Sequence, residues 1–354
     1  MRPLTRLGRA NLSSRPVTST DSTSAVRWWL RVPVLALGFA ALLLCVVLSL
    51  AIGARSVPVP TVVEALLGLG DGRDALVVTG LRWPRTVIGL VIGAALGLAG
   101  AVVQGITRNP LAAPTTLGIN AGAGLAVVVA IFALRLTHPV QFVGFAFAGA
   151  AGAAAFTLAL GRRAGDLDPV RLVLGGTVLQ LLLVSWTSAV LLFSERTLDE
   201  ARFWLAGSIA GRGLDALTPM LPTLILGAVV GLAIGPALNA LALGDEAATA
   251  LGMPVARIRF AGMAAVVLLA GSAVAVAGPI SFIGLAAPHL VRLLVGGDHR
   301  LLIPGCLIAG PVLLLSADIA GRLVARPSEV EVGIITAFLG APLLVVLARR
   351  GAGR

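Results

Sequence analysis

Two residue types are missing from this chain altogether: it has no lysine and no tyrosine. Without lysine there is no G-x-x-x-x-G-K-[ST] phosphate loop and no Schiff-base nucleophile, so the chain does not hydrolyse ATP through that motif. Charge is scarce as well. Only 12% of the 354 residues are charged and 58% are hydrophobic, against about 25% and roughly 45–50% in ordinary soluble domains. A water-soluble domain of this size would be unable to cover its core. The net charge of +11 does not point to nucleic acid either, because the basic residues are all arginine and lie scattered between apolar runs. Cys45 and Cys306 each stand alone in an apolar run, without C-x-x-C spacing, and read as buried small hydrophobes. His138, His289 and His299 have no second ligand at helical spacing, so no metal site and no catalytic residue is expected. What remains is a polytopic, all-α membrane protein.

Residues 1–29 carry Arg2, Arg6, Arg9, Arg15 and Arg27 among Ser, Thr and Pro, the composition of a disordered basic tail. The apolar run from Leu30 to Ile52 is too long for the core of a signal peptide and reads as a first membrane helix. Further spans are expected near 84–106, 116–136, 139–161, 171–193, 217–236, 301–324 and 332–348. Between Arg259 and Arg292 lie 32 residues without formal charge, about 48 Å of helix and too long for one span; Gly278-Pro279 divides them in two. The total is ten spans in one domain over 30–350, with both termini on the same side. Seventeen of the 27 arginines then fall on the side of the termini, which makes that side cytoplasmic by the positive-inside rule. Gly89, Gly93 and Gly97, four residues apart, permit close helix approach. The strings A-L-G-L-A-G at 95–100 and A-V-A-V-A-G at 273–278 lie five spans apart, hence in opposite orientation, as in an inverted repeat.

Several short constellations stand out from this apolar background. Leu81-Arg82-Trp83-Pro84-Arg85 is read as the opening of the second span, Pro84 in its first turn. Two cations at the positive end of a helix dipole, on the outer side, call for acidic compensation and suit docking of an acidic surface. Arg108, Asn109, Pro110 and Pro114 make a rigid inner turn. The longest inner loop, 237–258, holds a short helix that Gly244 or Asp245 caps, Asp245 and Glu246 favour in its first turn, and Gly252 and Pro254 stop. Leu243, Ala247, Ala250 and Leu251 give it an apolar face for a partner protein. Asp318 and Arg322, four apart, can pair on one face of the ninth span.

These strings together resemble the iron-siderophore and cobalamin permease family of ABC importers, the FecCD family, over about 30–350. The blocks that carry the resemblance are R-W-P-R at 82–85, Q-G-I-T-R-N-P-L-A-A-P at 104–114, L-G-I-N-A-G-A at 117–123, W-L-A-G-S-I at 204–209, L-A-L-G-D-E-A-A-T-A-L-G at 241–252, G-P-I-S-F-I-G-L-A-A-P-H-L-V-R at 278–292 and V-G-I-I-T-A-F-L-G-A-P at 332–342. Trp83 stands where the family has Leu, and Glu331 where it commonly has Pro. The resemblance implies a type II importer permease of a bacterial plasma membrane that dimerises, with an identical or paralogous subunit, around a translocation path. Two cytoplasmic ATPase subunits, which hold the ATP and Mg, and an extracytoplasmic substrate-binding protein complete the transporter. It further implies that Arg82, Arg85 and Arg322 meet glutamates of the binding protein, and that Leu243, Gly244, Asp245, Glu246, Ala247, Leu251 and Gly252 belong to the ATPase-coupling element. The cargo expected is a ferric siderophore-type chelate, with cobalamin or heme as alternatives inside the family and a proton-coupled carrier as the alternative outside it.

Overall fold

The computed structural model describes residues 28–351 except 54, 71, 164 and 165; at 28–32, 163, 166, 167, 169 and 343–351 only the backbone is considered. The expected tail therefore lies outside the described residues but for its last two positions. The order is α1 (Trp28–Ala51), α2 (Val59–Leu66), α3 (Arg73–Val77), α4 (Trp83–Thr107), α5 (Ile119–Leu134), α6 (Pro139–Gly161), α7 (Pro169–Leu192) and α8 (Glu195–Leu205). After these come α9 (Leu214–Leu217), α10 (Leu221–Ala233), α11 (Gly235–Ala242), α12 (Asp245–Ala250), α13 (Val255–Ala277), α14 (Ile283–Val295), α15 (His299–Val324) and α16 (Val332–Gly351). One β pairing, Arg162–Arg163 with Asp166–Leu167, closes the turn between α6 and α7.

Seven helical stretches are long and apolar enough to cross a membrane: 33–51, 73–107, 139–161, 170–192, 214–233, 255–277 and 299–324. Three shorter apolar helices, 119–134, 283–295 and 332–342, bring the set among the described residues to the ten expected. α13 and α14 part at Gly278, whose φ of +74° a side chain would resist.

α4 is the axis. Nearly every residue from Thr86 to Ile106 is buried, against α15, α13 and α14. Glycine makes this possible: a Cβ on Gly93 would lie 2.6 Å from the Pro311 Cα, one on Gly97 would strike the Cys306 carbonyl oxygen, and one on Gly100 the Gly284 carbonyl. The four-residue glycine spacing is thus a seam on which α15 and α14 lie backbone to backbone with α4. Cys45 and Cys306 are buried thiols.

The segment before α4 departs from expectation. The chain is already helical from Arg73, and α3 runs into α4 through a π-helical turn, Val78–Arg82. Trp83 donates its N–H five residues back to the Val78 carbonyl. The wider turn accommodates Pro84, which has no N–H to donate and would crowd an ordinary α-helical turn. Arg82 and Arg85 consequently sit inside a continuous helix, not at a free helix start.

Candidate functional site

The bundle has two polar ends, joined by α4 and α15. At one, α1 finishes, α4 begins and α15 finishes; at the other, α4 finishes and α12 lies.

At the first end, α1 stops at Ala51 with carbonyls left over, and arginines from two other helices take them. Arg82 donates from Nη1 to the Leu50 and Ala51 oxygens, both at 2.7 Å, and from Nη2 to the Arg55 oxygen. Arg322 donates from Nη1 to the Ser49 oxygen at 2.8 Å and the Ile52 oxygen at 2.6 Å, and from Nη2 to Ser49 Oγ at 3.1 Å. Two cations therefore close the negative end of the α1 dipole. Beside them Arg85 grips Asp318, Nη2 to Oδ1 at 2.8 Å, and reaches Glu329 Oε2 with Nη1 at 2.7 Å. Asp318 also takes Arg322 Nη2 at 2.8 Å, the i,i+4 pair read from the sequence. Asp318 and Arg322 are each 2% exposed and Arg82 7%.

Here the structure amends the expectation for these residues. The acidic compensation sought for Arg82 comes from helix carbonyls, a partner invisible in sequence, while that for Arg85 is carboxylate as expected. Arg82 and Arg322 are buried and donate from their Nη atoms inside the fold, while Arg322 Nε has no hydrogen-bond partner among the described residues. Trp83, next to Arg82 in the chain, is exposed.

At the other end, α12 begins after Gly244, at φ +107°, and ends at Gly252, at φ +77°. The Met253 N–H closing on the Ala248 oxygen completes the stop that Gly252 and Pro254 signal. Asp245 does more than favour a first turn. Both of its oxygens accept from Arg259 Nη2 at 2.9 Å, and Oδ1 also meets Arg108 Nη2 at 3.2 Å. Arg108 is in place because it ends α4 in the left-handed region, φ +50°. Asn109 then accepts the Leu111 N–H in a tight Asx turn that leads to Pro114. Ala248 on α12 is buried, whereas Leu243 and Leu251, which flank the helix, are 69% and 64% exposed, with Glu246 exposed beside Ala247. Asn239 on α11 ties this region to α15 through Asp298 Oδ1 at 2.7 Å and His299 Nδ1 at 2.9 Å.

Between the ends, a cavity of about 520 Å3 opens on the flank of α5, α7 and the α13–α14 break. Its polar lining includes Thr115, Asn120, Gln180, Ser188 and Ser281, none of them formally charged. Sequence reading did not place these residues. The signal was there in retrospect: the amide of Gln180 and the hydroxyls of Thr187 and Ser188 are among the few polar groups of α7, seven and eight residues apart on the helix. Phe282, at the break, holds φ +70°, a conformation that a bulky side chain disfavours.

The family model of the FecCD transport family matches residues 41–350. The chain belongs to the FecCD transport family. With ten apolar helices besides, this FecCD protein is an integral membrane transport protein. It is 44% identical over 310 residues, 87% of this chain and 92% of the other, to the ferric enterobactin transport system permease protein of Escherichia coli (strain K12). The cobalamin import system permease protein of Halobacterium salinarum is 38% identical over 80% of this chain and 77% of its own. Among solved structures, an inward-facing ABC transporter of metal-chelate type superposes with a TM-score of 0.78 at 29% identity, covering 90% of this chain and 99% of the other.

Proposed function

We propose that this FecCD protein is the membrane-spanning subunit of an ATP-driven importer, and that its cargo is a ferric siderophore-type chelate. The observation that carries the reading is α12: a short helix flanked by two bare leucines, braced by one acid to the ends of two membrane helices. Exposed leucines at the end of a bundle, outside the apolar core, suit a partner's groove. The Asp245 bridges to Arg108 and Arg259 would carry a displacement of α12 into α4 and α13.

In this reading the α12 end is cytoplasmic, together with both termini, and receives two ATPase subunits that bind ATP and Mg. The arginine end faces outward and receives the substrate-binding protein. A second subunit, identical or paralogous, covers the exposed apolar face of α7, where Leu174, Val178, Leu181 and Trp186 stand out. The uncharged cavity beside α7 then lies on the cargo path. ATP-driven motion at α12 passes along the glycine seam of α4 and α15, so that the two ends open alternately. This chain contributes no catalytic group.

Arg82, Arg85 and Arg322 belong to the docking face in this scheme, with Arg85 and Glu329 nearest its surface and the other two holding the frame behind. The siderophore-type cargo is supported by the ferric enterobactin relative; the cobalamin relative makes a corrinoid the rival cargo. Co-expression with candidate ATPases tests the assembly. The wild type is expected to retain an ATPase through purification, and the Leu243→Ser, Leu251→Ser double variant to lose it with unchanged thermal stability; retention by the double variant overturns the role given to α12.

A further inference from the structure

Away from both polar ends, a groove of about 300 Å3 runs between α1, α14 and α15. Every residue of its lining is aliphatic or glycine. Its two seams are closed by glycine: a Cβ on Gly305 would lie 2.5 Å from Val291 Cγ1, where α14 meets α15, and one on Gly38 would lie 3.4 Å from Ile308 Cγ2, where α1 meets α15. α1 packs along α15 but scarcely meets α14. α15 is therefore the floor and the gap between α1 and α14 is the opening. Leu293 and Leu294, both of the lining, are exposed there.

The groove belongs to the half of the bundle toward α12. Its α14 residues are the last of that helix, and the α15 that follows is tied by His299 to Asn239 of α11. α1 and α15 are each long and apolar enough to cross a membrane, so the opening meets hydrocarbon. Water finds no polar partner on such a lining, and an empty groove forfeits the dispersion contacts of its walls. The occupant is then an apolar chain. A further helix, about 10–12 Å across with its side chains, is too thick for this space. The α7 face proposed above for a second subunit lies on another flank, since α7 packs on α5 and α6 whereas α1 packs on α15.

Charge narrows the occupant further. α1 opens with Trp28 and Trp29, the residue type enriched at headgroup depth. Arg31 precedes Val34, Leu35 and Gly38 of the lining by three, four and seven residues, which places it on the same face of α1, one turn beyond the groove. An arginine at that level, near the positive end of the α1 dipole, is complementary to a phosphate.

We infer that the groove binds an anionic phospholipid from the leaflet on the α12 side, one acyl chain lying on α15 between α1 and α14 and the headgroup at the level of Arg31. Its occupancy is independent of what α12 binds.

The test uses the full chain in phosphatidylcholine nanodiscs that contain a trace of one of two probes, phosphatidylglycerol or phosphatidylcholine with a diazirine in one acyl chain. After photolysis, adducts are mapped by peptide mass spectrometry. The phosphatidylglycerol probe is expected to label the groove several-fold more than Val229 and Leu232, exposed apolar positions of α10 outside it. It should also label the groove about fivefold more than the phosphatidylcholine probe does, the weight of one arginine near an anionic headgroup. Arg31→Gln removes that preference. Ala41→Phe and Ala309→Phe fill the groove from two different helices, and each brings its labelling down to the α10 level. Leu43→Phe, on the exposed side of α1 and outside the lining, leaves it unchanged. The comparison with α10 is made within the wild type, so it stands even where a variant fails to fold. Equal labelling of groove and α10, equal labelling by the two probes, or unchanged labelling in both phenylalanine variants overturns the inference. So does a disulfide between two copies of Leu294→Cys, which would give the groove to a second subunit; Cys45 and Cys306 are buried and do not compete.

Discussion

The two ends of α4 are built on opposite principles. At the arginine end, Arg82, Arg85, Asp318 and Arg322 form a closed set whose hydrogen bonds are almost all made inside the fold. At the α12 end, one acid that is 41% exposed is shared by Arg108 and Arg259, and two leucines are left in the open. Burial explains the difference. A charge taken out of water must be paired and hydrogen-bonded to persist, so the first set acts as a frame. The Asp245 bridge joins a half-exposed acid to one exposed cation, Arg108, and one buried cation, Arg259; it is open to solvent on the acid's side and is free to act as a joint. What each end leaves uncommitted differs accordingly: cations at one, apolar surface at the other.

The largest effect should come from breaking the closed set. Asp318→Ala removes the buried carboxylate that Arg85 and Arg322 share, and the expected loss is about 3–5 kcal/mol, read as a fall in the thermal unfolding temperature in detergent. The milder Asp318→Asn separates structure from proton coupling. Whatever uptake survives should keep the wild-type pH profile, and a displaced profile would favour the proton-coupled carrier. Next is Arg82→Met, which leaves the α1 carbonyls unmatched; about 1–3 kcal/mol is expected, with faster hydrogen exchange at the α1 C-terminus. At the open end, Asp245→Asn leaves the buried Arg259 facing an amide oxygen in place of a carboxylate and should cost about 1–3 kcal/mol of stability. It should nonetheless uncouple the ATPase, which would turn over without uptake. Equal loss of stability in Asp245→Asn and Asp318→Ala would erase the contrast between frame and joint. Glu329→Gln, at the rim of the closed set, should change stability by about 0.5 kcal/mol or less, and it sharpens the comparison by marking where the frame meets solvent.

Much of the architecture was legible in the sequence because the relevant signals are local. Apolar run length set the ten helices, Gly278-Pro279 the break in the long uncharged stretch, and Gly244, Asp245, Gly252 and Pro254 the bounds of α12. Asp318 and Arg322 lie one helical turn apart, so their pairing was visible too. The π-helical turn before Pro84 was missed because the short helix α3, with Arg73 and Asp74 in its first turn, lacks the length of a span on its own. The amphipathic α8 was missed for a similar reason: it is polar enough to drop out of a search for apolar runs.

The sequence by itself determined what kind of protein this is, where its helices run and which short loops carry polar groups. These follow from composition, periodicity and capping, which act over a few residues. Only the tertiary structure decided which cations are committed. Arg82 meets Leu50, Arg322 meets Ser49 and Arg85 meets Glu329 across 32, 273 and 244 positions of chain, and such pairings arise only once the helices have packed. Tertiary packing also left Arg212 half-buried without a partner among the described residues.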